Sequence, residues 1–220
     1  MTLETPPLIL SIQSHVAWGH VGNAAAVFPL QRLGFEVLPV HTVQFSNHTG
    51  YGQFRGQVFG ADHIREIIAG LRERGVLQRV SAVLSGYLGD AGTGAVILDA
   101  VGEIRRENPA VRYLCDPVMG DVGRGVFVNP AIPDFLRDQA MPNANIITPN
   151  QFEFELLTGS KPASVAEAVR TARLLRGRGP DTVVVTSLAT PDIAADALGT
   201  LAVNCLLYTS DAADDSLRVD

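Results

Sequence analysis

Apolar positions recur along this chain with two spacings, and the two alternate almost from end to end. Short, mostly apolar runs read as buried strands: Leu8 to Ile12, Glu36 to Val40, Val80 to Ser85, Val111 to Cys115, Asn145 to Thr148 and Thr182 to Val185. Gly199 to Leu207 reads as a seventh. Between them lie helical periods. Ala24 to Leu33 is alanine-rich, interrupted near Pro29, with Gly34 placed to cap its end. Asp62 is placed to cap a helix that carries Ile64, Ile67, Ile68 and Leu71 on one face and closes at Gly75. Asp90 is placed to cap another, with Val96, Ile97, Val101 and Ile104 inward and Pro109 as its stop. Pro130 to Arg137 reads as a short helix. Pro149-Asn150 opens a helix ending at Gly159, and Ser164 with Glu167 makes a capping box for one reaching about Arg178. Strand-helix-strand units of this length imply parallel strands with right-handed crossovers. The fold class that follows is α/β, a layered sheet with helices on both faces.

Two features of the pattern bear on function. Thr42 to Gly60 is polar, aromatic and glycine-punctuated without helical period, and reads as an excursion from the sheet, a lid or a subunit contact. The strands, moreover, end in polar residues: Ser14, Tyr87, Asp116, Thr148 with Asn150, and Thr186 with Ser187. Open α/β sheets bind ligands at the carboxyl ends of their strands, so one cleft along one rim is expected. At its centre is Tyr113-Leu114-Cys115-Asp116-Pro117-Val118-Met119-Gly120, a strand halted by proline behind an acid. A glycine-rich loop, Gly120 to Gly125, follows and is expected to be flexible.

Composition narrows the chemistry. A net charge of −6 gives no electrostatic footprint for nucleic acid. Lys161 is the only lysine, which rules out a P-loop, whose pattern needs a lysine on the phosphates. Cys115 and Cys205 give neither a disulfide framework nor a metal spacing and suit a reducing compartment. No basic region precedes an apolar run at Met1 to Pro7, and no uncharged run is long enough to span a bilayer, so a cytoplasmic location is expected.

Each candidate also has a plain structural explanation. Asp116-Pro117 is a common strand-ending turn. Asn150-x-x-Glu153 is itself a helix-start signature, in which Glu153 reaches back to a backbone donor; the alternative sets that helix start beside phosphate, with Glu153 holding a metal through water. The five histidines, His15, His20, His41, His48 and His63, have no metal-ligand spacing, though His48 lies inside the polar excursion. Trp18 and Tyr87 suit either the core or the face of a flat heteroaromatic ligand.

Taken together, Ile12 to Val16, Val21-Gly22-Asn23, Thr42 to Tyr51, Leu84 to Gly89, Asp116 to Gly120 and Ile147 to Glu153 resemble the pyridoxal kinases of the ribokinase-like superfamily. The resemblance covers about Leu8 to Asn204. Val43-Gln44-Phe45-Ser46-Asn47-His48-Thr49 is its most specific part, whereas Asp-Pro-Val-Met is shared with hydroxymethylpyrimidine kinases. It implies a layered α-β-α fold and phosphorylation of the 5′-hydroxymethyl group of pyridoxal by ATP with Mg²⁺, and leaves a monovalent cation open. It implies a homodimer as well. By matching positions, Ser14, Val21, His48, Thr49 and Tyr87 line the vitamin pocket. Asp116, Thr148, Asn150, Glu153, Thr186 and Ser187 lie on the nucleotide side, with Asp116 and Glu153 toward the metal.

The family's catalytic acid stands in a Gly-x-Gly-Asp segment, and these 220 residues contain none. After Asn204 the chain runs Cys205 to Asp220 without matching the family and resembles translated adaptor sequence. The resemblance therefore gives 1–204 as an incomplete kinase domain and 205–220 as an artefactual or disordered tail. Asp211, Asp214, Asp215 and Asp220 lack the glycine-helix context of a base, so no catalytic residue is assigned. Weak turnover is expected. Three functions are carried forward: pyridoxal kinase, hydroxymethylpyrimidine kinase, and a vitamin-binding or dimerising module without chemistry.

Overall fold

The structure is a computed structural model that describes residues 6–204; the expectations for the tail and for the last part of the seventh strand, Cys205 to Leu207, lie outside the described residues. In chain order the elements are β1 (Leu8–Trp18), α1 (Asn23–Arg32), β2 (Glu36–Asn47), β3 (Gly56–Val58), α2 (Ala61–Glu73), β4 (Val80–Ser85), α3 (Thr93–Glu107) and β5 (Arg112–Cys115). There follow a hairpin of β6 (Gly120–Asp121) and β7 (Gly125–Val126), then α4 (Ala131–Phe135), a π-helical turn over Leu136–Ala140, and α5 (Met141–Asn143). The last elements are β8 (Ile146–Ile147), α6 (Gln151–Thr158), α7 (Val165–Arg176), β9 (Thr182–Leu188) and β10 (Gly199–Val203). Eight strands make one sheet in the order β10-β9-β8-β5-β4-β1-β2-β3. The inner pairings are parallel, and only the outermost strands, β3 and β10, run antiparallel to their neighbours. This is the expected α/β sheet with flanking helices.

Local chemistry accounts for most boundaries. Gly34 takes φ +90, and the amides of Gly34 and Phe35 close α1 on the carbonyls of Gln31 and Leu30. Asn150 and Glu153 form a complete capping box on α6, which ends at left-handed Gly159. At α7 the box is half made: Ser164 accepts from Glu167 N–H, but the Glu167 carboxylate reaches the Ala163 amide instead of that of Ser164. Two caps are corrected. Gly60, not Asp62, precedes α2, and Asp62 pairs with Arg65 in the first turn. Gly92, not Asp90, precedes α3; Asp90 accepts the Gly92 amide in the turn before it (2.8 Å).

Three stretches differ more. β1 runs past Ile12 to Trp18, and β2 runs past Val40 to Asn47, so the first part of the excursion is strand. Val43, Gln44 and Phe45 pair there with β3. The glycine-rich loop is a paired hairpin, and the short helix after it continues as a helical segment to Asn143.

The main core is one cluster drawn from β1, β4, β5, β8 and β9 with α2, α3, α6 and α7, in which Leu10, Ile12, Ile64, Ile104, Tyr113, Phe154 and Val183 are fully buried. A second, small cluster holds Val16, Val43 and Phe45, with Val21, Ala24 and Tyr87 against it. The register explains the separation. Gln13 pairs with His41 but His15 pairs with Gln44, so β2 contains one extra residue. Such a bulge re-aims the side chains beyond it.

Candidate functional site

Past the bulge, β1 and β2 leave the main core and border a cavity of about 240 Å³. Its apolar wall is Val16, Val21, Val43, Phe45 and Val118, closed on one side by Phe127. Ser14, His48, Thr49 and Tyr87 supply polar groups, and Asp116 and Arg124 carry charge. Its shape depends on a close backbone approach. Gly22 sits at φ +52, and a Cβ there would fall 2.2 Å from the Ser14 carbonyl oxygen, so the turn into α1 excludes any side chain.

Behind this wall lies a buried polar network that holds β1, α1 and β2 together. Ser11 Oγ donates to Asn23 Oδ1 (2.7 Å), Gln13 Nε2 donates to Ser11 Oγ (2.8 Å), and the Asn23 amide donates to the Val40 carbonyl (3.0 Å) and meets His41 Nδ1 (3.0 Å). His41 lies 4.4 Å from His15 between ring centroids; burial, with His15 beside it, lowers the His41 pKa. Gln13 thus ties this network to the cavity, which it lines together with Ser14.

The excursion forms the rim. Thr42 Oγ1 donates to the Tyr87 carbonyl (2.6 Å), fastening the loop after β4 to the bulge, and burial raises the Tyr87 phenol pKa. His48 leads a single 3₁₀ turn, Thr49–Tyr51, and packs edge-on to Tyr51 (5.3 Å, 74°), which in turn meets Trp18 (5.1 Å). Trp18 is 69% exposed, so it is a rim residue and not the core aromatic that one sequence reading allowed.

Asp116 joins the cavity to a second ledge. Its amide donates to the Ser85 carbonyl (2.8 Å), and Thr148 Oγ1 donates to its Oδ1 (3.1 Å). Burial raises its carboxyl to about 6. Glu153 is 3% exposed; burial raises it to about 7, with the Asp116 charge adding to the rise and the amides of Met119 and Asn150 opposing it. Those amides donate to Oε1 and Oε2 respectively, both at 2.9 Å. Asn150 Nδ2 donates to the Gly120 carbonyl (2.9 Å), and Asn150 bridges to Thr186, whose amide donates to Pro149. Ser187 is exposed at φ +56, left-handed without being glycine.

Ser14, Val21, His48, Thr49, Tyr87 and Asp116 thus meet on one cavity, while Thr148 follows the neighbouring strand β8, Thr186 and Ser187 come from β9, and Asn150 and Glu153 from the start of α6. The helix-start reading of Asn150-x-x-Glu153 is correct as geometry, and the same cap ties α6 to the chain after Asp116. Among the described residues no three His, Cys, Asp or Glu side chains gather as a metal cage. Two buried carboxyls, with the Asp116 charge adding to the cost of ionising Glu153, do suit a hard dication that keeps several waters. The Cys115 thiol is pushed up to about 12 by burial and stays protonated. The residues that sequence reading missed as site residues are Gln13, Val16, Gly22, Val43, Phe45, Val118, Arg124 and Phe127. Most are apolar, and they lie beyond the strands read from the sequence, where no period marked them.

The chain matches the family model described as phosphomethylpyrimidine kinase over residues 65–211. It is 56% identical over 207 residues to the pyridoxal kinase PdxY of Deinococcus radiodurans, spanning 92% of this chain and 70% of that protein. To the corresponding protein of Rubrobacter xylanophilus it is 58% identical over 184 residues, 84% of this chain and 63% of that protein. Among solved structures, the pyridoxal kinase of Leishmania donovani in complex with ADP and pyridoxamine superimposes with a TM-score of 0.79 at 36% identity, covering 84% of this chain and 66% of that chain. A protein from Bacteroides thetaiotaomicron described as a putative phosphomethylpyrimidine kinase, with pyridoxal, superimposes at 0.77 and 28% identity, over 86% and 65% of the two chains. The chain therefore spans about two thirds of the length of the proteins it matches.

Proposed function

The chain belongs to the pyridoxal kinases of the ribokinase-like superfamily, and on that footing we propose that its cavity binds pyridoxal and presents the 5′-hydroxymethyl group toward Asp116 and ATP. The single observation that carries this reading is the convergence of Ser14, Thr49, Tyr87 and Asp116 on one cavity that also has an apolar wall of Val16, Val21, Val43, Phe45 and Val118. A flat pyridine ring lies against Val16, Val43, Phe45 and Phe127, while Ser14 and Thr49 hydrogen-bond its polar edge.

ATP lies along the ledge of Thr148, Asn150, Glu153, Thr186 and Ser187. Asp116 and Glu153 would hold a magnesium ion there, which would supply charge neutralisation to the phosphates. Thr148 holds Asp116 in place, and Glu153 fixes the chain after Asp116 through the Met119 amide. Positioning and charge are the main catalytic contributions in phosphoryl transfer. Residues 1–204 are an incomplete kinase domain in this reading, acting in a cytoplasmic homodimer. Among the described residues no helix is long and apolar enough to cross a membrane. The 220 residues contain no Gly-x-Gly-Asp segment to supply the proton-accepting acid, so these residues by themselves bind both substrates and turn over slowly.

The test is calorimetric titration of the 220-residue chain with pyridoxal, then with Mg²⁺ and ATP, beside an assay for pyridoxal 5′-phosphate. Binding of pyridoxal with weak turnover is expected. Absence of pyridoxal binding would sink the reading, and brisk turnover would sink the account of the missing acid. The matched family description favours one second reading, a kinase for hydroxymethylpyrimidine. Competition between that alcohol and pyridoxal decides between them.

A further inference from the structure

Arg124 is the arginine on the cavity wall, and it takes no part in the polar contacts that hold the other lining residues. Most arginines in this fold are already engaged. Arg65, Arg72, Arg79, Arg112 and Arg137 pair with carboxylates, and Arg105, Arg176 and Arg178 donate to backbone carbonyls. Among the described residues the Arg124 guanidinium has neither a hydrogen bond nor an ion pair; it lies over the Phe127 ring, 4.8 Å from its centre. Stacking on a ring face holds the guanidinium plane and leaves its edge donors free, the arrangement that takes an anion through two parallel hydrogen bonds.

The hairpin fixes where that edge stands. Gly123 and Gly125 flank Arg124 at φ +80 and +68. Gly120 admits no side chain, since a Cβ there would fall 2.4 Å from Phe152 on α6 and 2.5 Å from the Gly125 carbonyl oxygen. The helix that carries Glu153 therefore also sets the hairpin. From the opposite rim, a Cβ on Gly50 would come within 3.7 Å of Arg124 Nη1 and 2.9 Å of the His48 ring. The guanidinium thus reaches across the cavity mouth to the His48–Gly50 turn. Asp116 and Arg124 carry opposite charge on the same wall, so Arg124 offsets the repulsion that Asp116 exerts on a phosphate at the 5′ substituent.

We propose that Arg124 is the phosphate-recognising residue of this cavity, binding the phosphate monoester of a hydroxymethylpyridine seated there. The inference rests on the vitamin-binding reading and deepens it: the cavity holds the phosphorylated ring through Arg124 and the unphosphorylated ring without it.

Pyridoxine and pyridoxine 5′-phosphate are suitable probes, because neither has an aldehyde to condense with a lysine. Each is titrated calorimetrically into the unaltered 220-residue chain, Arg124→Met and Arg124→Lys. Arg124→Met should weaken binding of the phosphate ester by roughly 10- to 100-fold, the range for a lost charge-assisted pair, and change pyridoxine affinity by less than about threefold. Arg124→Lys should restore part of the loss, and added salt should weaken ester binding in the unaltered chain more than in Arg124→Met. Equal weakening of both probes would overturn the proposal and assign Arg124 to packing on Phe127. An unchanged affinity for the ester would overturn it too. Failure of the unaltered chain to bind either probe would refute the vitamin-binding reading and this inference with it.

Discussion

Replacing Glu153 by glutamine exposes a conflict built into the rim. The carboxylate accepts two backbone amides, which favours its ionised form, yet it is 3% exposed and near Asp116, which disfavours it. Burial prevails and lifts the carboxyl from 4.5 to about 7. A folded pKa above the unfolded one means that the group's contribution to stability is fully present below about pH 4.5 and is lost as pH rises through about 7. Between roughly pH 5 and pH 8.5 the loss is on the order of 2–3 kcal/mol. Glutamine does not titrate, and it leaves one of the two amides facing an NH₂ group, at a cost of about 1–3 kcal/mol. Glu153→Gln should therefore destabilise the chain by about that amount near pH 5 and be close to neutral, or stabilising, near pH 8.5. Urea unfolding followed by far-UV circular dichroism, in buffer with chelator to keep metal away, measures both values. Taking the difference between variant and parent cancels every other titrating group. Equal destabilisation at both pH values would refute the claim that Glu153 is ionised at a cost inside the folded chain.

Other positions give sharper or coarser outcomes. Gly22→Ala places a methyl group against Ser14 at φ +52 and should cost about 2–4 kcal/mol while abolishing pyridoxal binding, read by thermal unfolding and titration. Asn23→Leu removes the acceptor of the Ser11 hydroxyl and the side-chain donor to the Val40 carbonyl in a buried network and should cost roughly 3 kcal/mol in urea unfolding. Thr148→Val removes the hydroxyl that holds Asp116, so its carboxyl should move further above 6 and Mg²⁺–ATP binding should weaken about 5- to 10-fold near neutral pH in calorimetry.

Much of this molecule was legible from alternation and caps. β4 begins and ends at its expected residues, and the box that starts α6 forms as its Asn-x-x-Glu spacing implies. The rim was legible because strands that end in hydroxyls, amides and acids need solvent or a ligand there. What escaped was set by distant partners. Gln13-Ser14-His15 looks like the end of a strand, yet β1 continues through it, with the Gln13 amide held by Ser11 and the His15 ring against His41. The glycine-rich stretch pairs into a hairpin because Phe152, far along the chain, packs where a side chain on Gly120 would stand. Arg124 and Phe127 sit in a segment with no periodicity to mark them, and only the folded hairpin brings them to the cavity.

The extra residue in β2 divides labour between two apolar assemblies. Leu10, Ile12 and their neighbours belong to the main core, while Val16, Val43 and Phe45 form a separate cluster that walls the cavity. Size changes in the smaller assembly can reshape the ring's berth while the architecture stands. A lineage could exchange one aromatic alcohol for another through three or four side chains without first acquiring a sturdier scaffold.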